Sequence, residues 1–358
     1  MVVVDSISEN MNAKLSLVYL SFATIAHSSS PFKLILLWTD FWGASDWEVG
    51  RGQEPFDRLQ CFVRSCSFTS NRSELPESDA VLFHIHQLEE HIPQKRPGQI
   101  WIFFMLESPG WSHNWNYKKW KGLFDWTMTY RRDSDIRLQY GSVEWRGEGG
   151  EVTRSIDVAQ KRREVAWLVS NCRTQSRREE YVEQLQKYIR VDIYGRCGTN
   201  LTCTKVWDKD DYRCLNMISA KYFFYLSFEN SLCKDYITEK FYKTLSLDVV
   251  PIVRWHSSNS GVSSGEWFID TADFASPASL ANYLHFLINN HEDYKEYLRH
   301  RSSYKTRAYF GIKHLPAWCE LCEKLNRGFI SPRRDISTWW SEDDCIQPKD
   351  LMDTVERR

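Results

Sequence analysis

Short apolar runs of strand length recur along the chain: Lys33 to Trp38, Ala80 to Ile85, Ile100 to Leu106 and Asp125 to Tyr130. Polar stretches bearing Pro or Gly separate them, the spacing expected between strands of one sheet. From Arg131 to Gln160 apolar residues thin out while Gly and charge gather at Arg146 to Gly150, which marks a connection between domains. A second series then begins with a strand at Glu164 to Ser170. A helix at Arg177 to Ile189 follows, with Tyr181, Leu185, Tyr188 and Ile189 at helical spacing, then a strand at Val191 to Tyr194 closed by Gly195. Beyond these come a strand at Tyr222 to Phe228, a helix at Phe241 to Leu247, and strands at Val249 to Val253 and Trp267 to Ile269. Helices at Ser279 to Ile288 and Glu292 to Arg299 complete the series. Alternating strand and helix implies parallel sheets with crossover helices. Two such series joined by a linker predict an α/β protein of two Rossmann-like domains facing a cleft. The expected limits are a polar, Ser-rich tail over 1–30, domains over 31–150 and 151–330, and a C-terminal tail over 331–358.

The most informative chemistry lies between the strand Tyr222–Phe228 and the helix after it. Phe228-Glu229-Asn230-Ser231 and Asp235-Tyr236-Ile237-Thr238-Glu239-Lys240 place polar and charged side chains at the carboxyl end of a strand. That end is where α/β sheets bind ligands. The helix start offers backbone N–H groups and a positive dipole end beside Lys240, which suits a diphosphate. Glu239 is placed to accept from ribose hydroxyls, and Tyr236 to donate to a phosphate oxygen. The plainer reading has Thr238 and Asp235 capping the helix and Glu239 and Lys240 solvated on its first turn.

The whole run from Phe228 to Val253, F-E-N-S-L-C-K-D-Y-I-T-E-K-F-Y-K-T-L-S-L-D-V-V-P-I-V, resembles the signature of the α1,3-fucosyltransferase family. The likeness extends over Trp101 to Gly141, Val165 to Gly198 and Phe268 to Cys322. It implies a GT-B fold, with the acceptor-binding domain at 31–150 and the GDP-fucose-binding domain at 151–330. The implied reaction moves L-fucose from GDP-β-L-fucose to the 3-hydroxyl of GlcNAc in glycoprotein glycans, with inversion at the sugar carbon. Glu107-Ser108-Pro109 matches the family's Glu-Ser-Pro, which makes Glu107 the expected general base. The resemblance assigns Ser170, Asn171 and Arg177 to the donor site, Arg177 on the diphosphate, with the adjacent Arg178 leaving the register open. Asn230, Tyr236, Glu239 and Lys240 match donor-contacting positions, and Glu229 belongs to the same loop. Arg177 and Lys240 would neutralise the leaving phosphate, so no metal is required and Mn²⁺ is at most stimulatory. Asp192-Ile193-Tyr194-Gly195-Arg196-Cys197-Gly198 and Asp125 to Tyr130 look closer to the invertebrate and plant core-type enzymes. Antennal N-acetyllactosamine-type glycans are the competing acceptor.

Composition adds the compartment. Net charge is −1, so nothing points to nucleic acid or an acidic membrane surface. Ten cysteines fit an oxidising environment, and the sequons at Asn71 and Asn200 agree with the secretory route. Leu15 to Ala26 is apolar but shorter than the roughly 20 residues that span a bilayer. The family is usually anchored in the Golgi by an N-terminal helix, and here that anchor reads as missing or degenerate. The expected location is the Golgi lumen, or its membrane if an anchor is present.

Two short motifs compete with this reading. Asp133-Ser134-Asp135 resembles the Asp-x-Asp that holds Mn²⁺ in GT-A enzymes. Cys319-x-x-Cys322 would need two further ligands to hold zinc, and no second such pair exists. In the family this late pair forms disulfides, which makes Cys61 and Cys66 the candidate partners. The chain departs from the family at Arg254-Trp255-His256 and in the Ser-rich loop Ser257 to Ser264. That departure keeps open an inactive relative that binds glycan or nucleotide without turnover.

Overall fold

The computed structural model describes residues 32–111, 119–150, 157–198, 203, 212–256, 267–332, 334–348 and 350–351. The Leu15–Ala26 run, Asn200 and the Ser257–Ser264 loop lie outside them. Thirteen strands are described: β1 Lys33–Leu37, β2 Cys66–Thr69, β3 Ala80–His84, β4 Ile100–Met105, β5 Trp126–Thr129, β6 Ile136–Arg137, β7 Gly141–Trp145, β8 Arg163–Leu168, β9 Val191–Tyr194, β10 Tyr222–Phe228, β11 Val250–Arg254, β12 Ile269–Asp270 and β13 Tyr304–Ala308. The helices are α1 Glu54–Arg58, α2 Arg178–Leu185, α3 Tyr212–Lys221, α4 Glu239–Thr244, α5 Pro277–Asn289, α6 His291–Ser302, α7 Ala317–Arg327 and α8 Ile336–Trp339.

Eleven of these strands form two parallel sheets within one compact unit, in the orders β2-β1-β3-β4-β5-β6 and β12-β11-β10-β8-β9. Their central strands are apolar at nearly every position because both faces are covered. Ile35, Leu82, Ile102 and Phe104 enter one core of the first sheet, while Leu36, Val81, Trp101 and Phe103 enter the other. The second sheet divides in the same way. Val165, Phe224 and Leu226 face one side with α2, α5 and α6, whereas Ala166 and Tyr225 face the other with α3.

Three departures from the predicted organisation matter for the site. First, the stretch read as a bare connection contains β7, which pairs antiparallel with β13. This ribbon covers α4, with Val143, Tyr304 and Ala308 against Phe241, Tyr242 and Trp267. Second, α7 lies beyond the second sheet in sequence yet completes the first core, through Trp318, Leu321, Cys322 and Leu325. Third, residues 331–351 are no tail. Ile336 and Trp340 pack on the first sheet, and Leu351 packs in the second core. The chain therefore crosses between the sheets more than once, and no boundary near residue 330 separates two cores.

The ribbon contact is tight at one point. A Cβ on Gly141 would lie 2.3 Å from Tyr242 Cγ and 2.5 Å from the Arg307 carbonyl oxygen. Gly141→Ala should therefore push β7 off α4 and destabilise the fold by about 1–3 kcal/mol, read as a lowered melting temperature.

Candidate active site

The loop after β10 is organised around one carboxylate. Glu229 is fully buried and accepts from the Thr238 backbone N–H at 2.7 Å and the Thr238 hydroxyl at 2.8 Å, with Lys240 Nζ 3.2 Å away. Thr238 is the N-cap of α4, and its hydroxyl oxygen also receives Lys240 Nζ at 2.8 Å. Burial drives the Glu229 carboxyl above its ordinary range, opposed by Lys240. Burial disfavours the charged Lys240 too, but Glu229 and Glu239 outweigh it and hold the ammonium protonated. For Glu239 burial acts upward, yet Lys240 and Lys243 prevail and keep it an anion. The N-cap of α4 is thus held by Glu229, and the Thr238 hydroxyl in turn receives the Lys240 backbone N–H at 3.5 Å. Asp235 does not cap α4; it accepts from the Arg132 backbone N–H at 3.1 Å.

Glu107 follows β4 at the carboxyl edge of the first sheet and meets this loop directly. Tyr236 donates its hydroxyl to Glu107 Oε2 at 2.8 Å, and Asn230 Nδ2 approaches the same oxygen at 3.4 Å. The adjacent Ser108 hydroxyl donates to Ser231 Oγ at 2.6 Å, buried. Asn230 Oδ1 is buried without a hydrogen-bond partner among the described residues.

A cavity of about 1100 Å³ lies between the two sheet edges. Of the expected site residues, Glu107, Ser170, Asn171, Asn230, Glu239 and Lys240 line it. Arg177, Glu229 and Tyr236 do not. Glu229 and Tyr236 lie behind the surface and hold the residues that do. Arg177 has moved out of the site: it takes a left-handed backbone, φ 48°, and its guanidinium pairs with Glu180 at 2.8 Å on the surface. Its neighbour Arg178 takes the place expected of it. Arg178 is 3% exposed, lines the cavity and donates to the Phe228 carbonyl at 2.7 Å and the Asn171 carbonyl at 3.1 Å.

Further cations reach the same space. Gly195 turns β9 back with φ 86°, where a Cβ would lie 2.4 Å from the Val169 carbonyl oxygen, and so brings Arg196 to the rim. The Cys172–Cys197 disulfide ties that turn to the loop carrying Ser170 and Asn171. Lys243 and Arg307 complete the set, and Trp42, Trp111 and Phe310 supply partly exposed rings. On the first-sheet wall burial lowers His84 to about 3, and behind it His86 is lowered to about 4, which leaves both neutral near pH 7.

Other motifs are committed elsewhere. Asp135 is buried and accepts from the Thr127 N–H, Ser331 and Arg334, while Asp133 holds Arg131 and Trp339. Neither lines the cavity, and the described residues contain no cluster of metal-ligating side chains. Cys61 bonds Cys319 and Cys66 bonds Cys322, so neither cysteine of the late pair is a thiol ligand. Asn71 is exposed, its amide oxygen accepting from the Ser73 hydroxyl at 2.8 Å.

Residues 30–141 match the N-terminal fucosyltransferase family, and residues 158–339 match glycosyltransferase family 10 (fucosyltransferase), C-terminal part. The chain belongs to the family 10 fucosyltransferases. Among its relatives, an alpha-(1,3)-fucosyltransferase C of Drosophila melanogaster is 33% identical over 86% of this chain and 77% of its own. A human 4-galactosyl-N-acetylglucosaminide 3-alpha-L-fucosyltransferase is 34% identical over 90% and 86%. A crystal structure of an alpha1,3-fucosyltransferase with GDP-fucose superposes with a TM-score of 0.53, at 16% identity over 85% of this chain and 93% of that one. The shared architecture is the GT-B fold of two Rossmann-like halves.

In this fucosyltransferase the register of the Arg177–Arg178 pair was readable in principle. Residues 178, 181, 182 and 185 fall at i, i+3, i+4 and i+7, and all four are buried. Arg178→Ala should remove a buried guanidinium, orphan two carbonyls and destabilise by roughly 3 kcal/mol. Arg177→Ala should stay within about 0.5 kcal/mol, as expected for an exposed i,i+3 pair. Thermal melts of the two variants side by side check this.

Proposed function

We propose that this fucosyltransferase moves L-fucose from GDP-β-L-fucose to the 3-hydroxyl of GlcNAc in glycoprotein glycans, with inversion. One observation carries the reading: Glu107 from the first sheet and Arg178, Asn230 and Lys240 from the second line the same cavity. The first half binds the acceptor and the second binds the donor. The Glu107 carboxylate takes the proton of the acceptor hydroxyl, and the freed oxygen attacks the anomeric carbon of fucose. The bond from that carbon to the β-phosphate oxygen breaks, and GDP leaves with the electron pair. Lys240 and Arg178 offset the charge that develops on the diphosphate, without a divalent ion. Glu239 accepts from the ribose. The activities for which the relatives are named support a 3-linked product on N-acetylglucosaminide acceptors. Five disulfides, with no free cysteine among the described residues, fit a chain working in the Golgi lumen.

GDP-fucose consumption with core N-glycan and N-acetyllactosamine acceptors tests the reaction and separates the two acceptor classes. Donor binding without turnover on every acceptor would instead mean an inactive relative. Glu107→Gln keeps the shape but not the base, so turnover should drop roughly 10²–10⁴-fold with GDP affinity unchanged by calorimetry. Lys240→Ala should weaken GDP binding and slow transfer together. EDTA should leave substantial turnover at saturating donor; complete loss, restored by Mn²⁺, would reject the metal-free reading.

A further inference from the structure

We infer that Trp42, with the buried His84 beside it, forms a subsite for a second sugar of the acceptor. The indole carries the C–H face of the sugar joined to the 4-hydroxyl of the reacting GlcNAc, and His84 Nε2 accepts from one of its hydroxyls. The inference rests on the proposed transfer to GlcNAc and names the part of the acceptor that adjoins the reacting ring.

Trp42 lies in the loop between β1 and α1, which lines the first-sheet side of the cavity with Phe41, Ala44 and Glu48 as well. Trp42, Trp47 and Glu48 all hold left-handed backbone, at φ 51°, 54° and 55°, a conformation that bulky residues adopt only where the surroundings impose it. The anchor is Trp47. It is fully buried, packs on Phe104 with centroids 4.6 Å apart, and donates its indole N–H to the Thr39 carbonyl. Phe41 and Ala44 exchange both backbone hydrogen bonds at 3.0 Å, which closes a tight turn around Trp42 and Gly43. One tryptophan of the loop is thereby sunk in the core, and the other is left 56% exposed at the cavity. The Trp42 ring is backed by His86, with centroids 4.7 Å apart, and by His84 at 5.5 Å. A held, backed and open indole is the kind of surface on which the apolar C–H face of a pyranose packs.

His84 supplies the polar half of the subsite. It ends β3, lines the cavity and is fully buried. Its Nδ1 lies 3.3 Å from the Asp40 carbonyl oxygen, which can only accept, so Nδ1 carries the proton and Nε2 presents a bare lone pair. That Nε2 has no hydrogen-bond partner among the described residues. A buried acceptor left unanswered costs stability, and a sugar hydroxyl answers it. Burial lowers the imidazole to about 3, so no proton takes up the lone pair near neutrality. The position fits the neighbour of the reacting ring. β3 and β4 are paired, with His84 opposite Phe104, and Glu107 follows β4. His84 and Glu107 thus leave adjacent strands, whose usual spacing of about 4.8 Å is comparable with the width of one sugar ring. N-acetyllactosamine and the core N-glycan both carry a β-linked sugar on the 4-hydroxyl of GlcNAc, beside the 3-hydroxyl that takes fucose.

The test measures KM for the β-methyl glycoside of GlcNAc, for N-acetyllactosamine and for diacetylchitobiose, and reads the preference for disaccharide over monosaccharide. Disaccharide binding to the GDP-loaded protein is followed in parallel by ligand-observed NMR, which needs no turnover. Trp42→Ala should cut the preference roughly tenfold, and Trp42→Phe should restore part of it. His84→Phe keeps a ring, deletes the lone pair and should also cut the preference. Trp145→Ala removes an exposed tryptophan of β7 that does not line the cavity, and should leave the preference in place. The disaccharide affected tells whether galactose or GlcNAc occupies the subsite. An unchanged preference in Trp42→Ala, or in a His84→Phe that melts like wild type, overturns the inference. So does an equal rise in KM for all three acceptors, an equal loss in Trp145→Ala, or a wild type that shows no preference. No turnover in wild type, with disaccharide binding still weakened in Trp42→Ala, would reject the transfer and support the subsite.

Discussion

The burial of the Glu229 carboxylate governs the geometry of the active edge. A carboxylate out of contact with water costs several kcal/mol unless every lone pair is answered. Here the answers come from Thr238 and Lys240, nine and eleven positions further along the chain. Satisfying Glu229 therefore fixes where the loop closes, where α4 begins and where the Lys240 ammonium stands. It also fixes what lies between: Asn230 beside Glu107, Ser231 on Ser108 and the Tyr236 hydroxyl on Glu107. A neutral isostere at 229 would leave Lys240 with Glu239 as its remaining close counter-charge, 3.4 Å away.

A GT-B cleft needs two halves held in register, and this chain does so by repeated crossing. β7 leaves the first half and β13 leaves the second, and they pair with each other beneath α4. Farther on, Arg131 pairs with Asp344, Cys233 bonds Cys345, and Arg254 donates to Asp350 at 2.8 Å. The last described residues thus touch the first sheet, the signature loop and the second sheet in succession. The sidewalls of the cavity are set by covalent and ionic ties on both sides, which suits a site whose carboxylate Glu107 and cations Arg178 and Lys240 come from different sheets.

The sheets were legible because their strands are buried on both faces. Val191–Tyr194 and Tyr222–Phe228 agree with the observed strands residue for residue; all seven positions of the second are buried, and Gly195 closes the first. β7 and β13 were not legible. They are half exposed, as Trp145 and Arg307 are, and each is completed by a partner about 160 positions away that local patterning cannot reveal. α7 was noticed for its cysteines and missed as a helix, although Ala317, Trp318, Leu321, Cys322 and Leu325 share one apolar face. The site was readable as a set of residue types and less so as roles. Glu229 and Glu239 are chemically alike and near in sequence, yet one supports the loop and the other lines the cavity. Arg177 is the left-handed N-cap of α2 and Arg178 its first helical residue, on the face buried with Tyr181, Val182 and Leu185; that placement decided which reached the cleft. The family resemblance identified the loop; burial sorted its members.

The disulfides Cys61–Cys319 and Cys66–Cys322 join residues 258 and 256 positions apart. During vectorial synthesis Cys61 and Cys66 therefore emerge long before their partners exist, by roughly 10–50 s at ordinary elongation rates. Over the same interval the first sheet lacks α7, Ile336 and Trp340, so the half made first is finished last. Its apolar faces and two thiols must be shielded until the carboxyl end arrives. A chain interrupted before residue 319 would carry unpaired cysteines beside an open core.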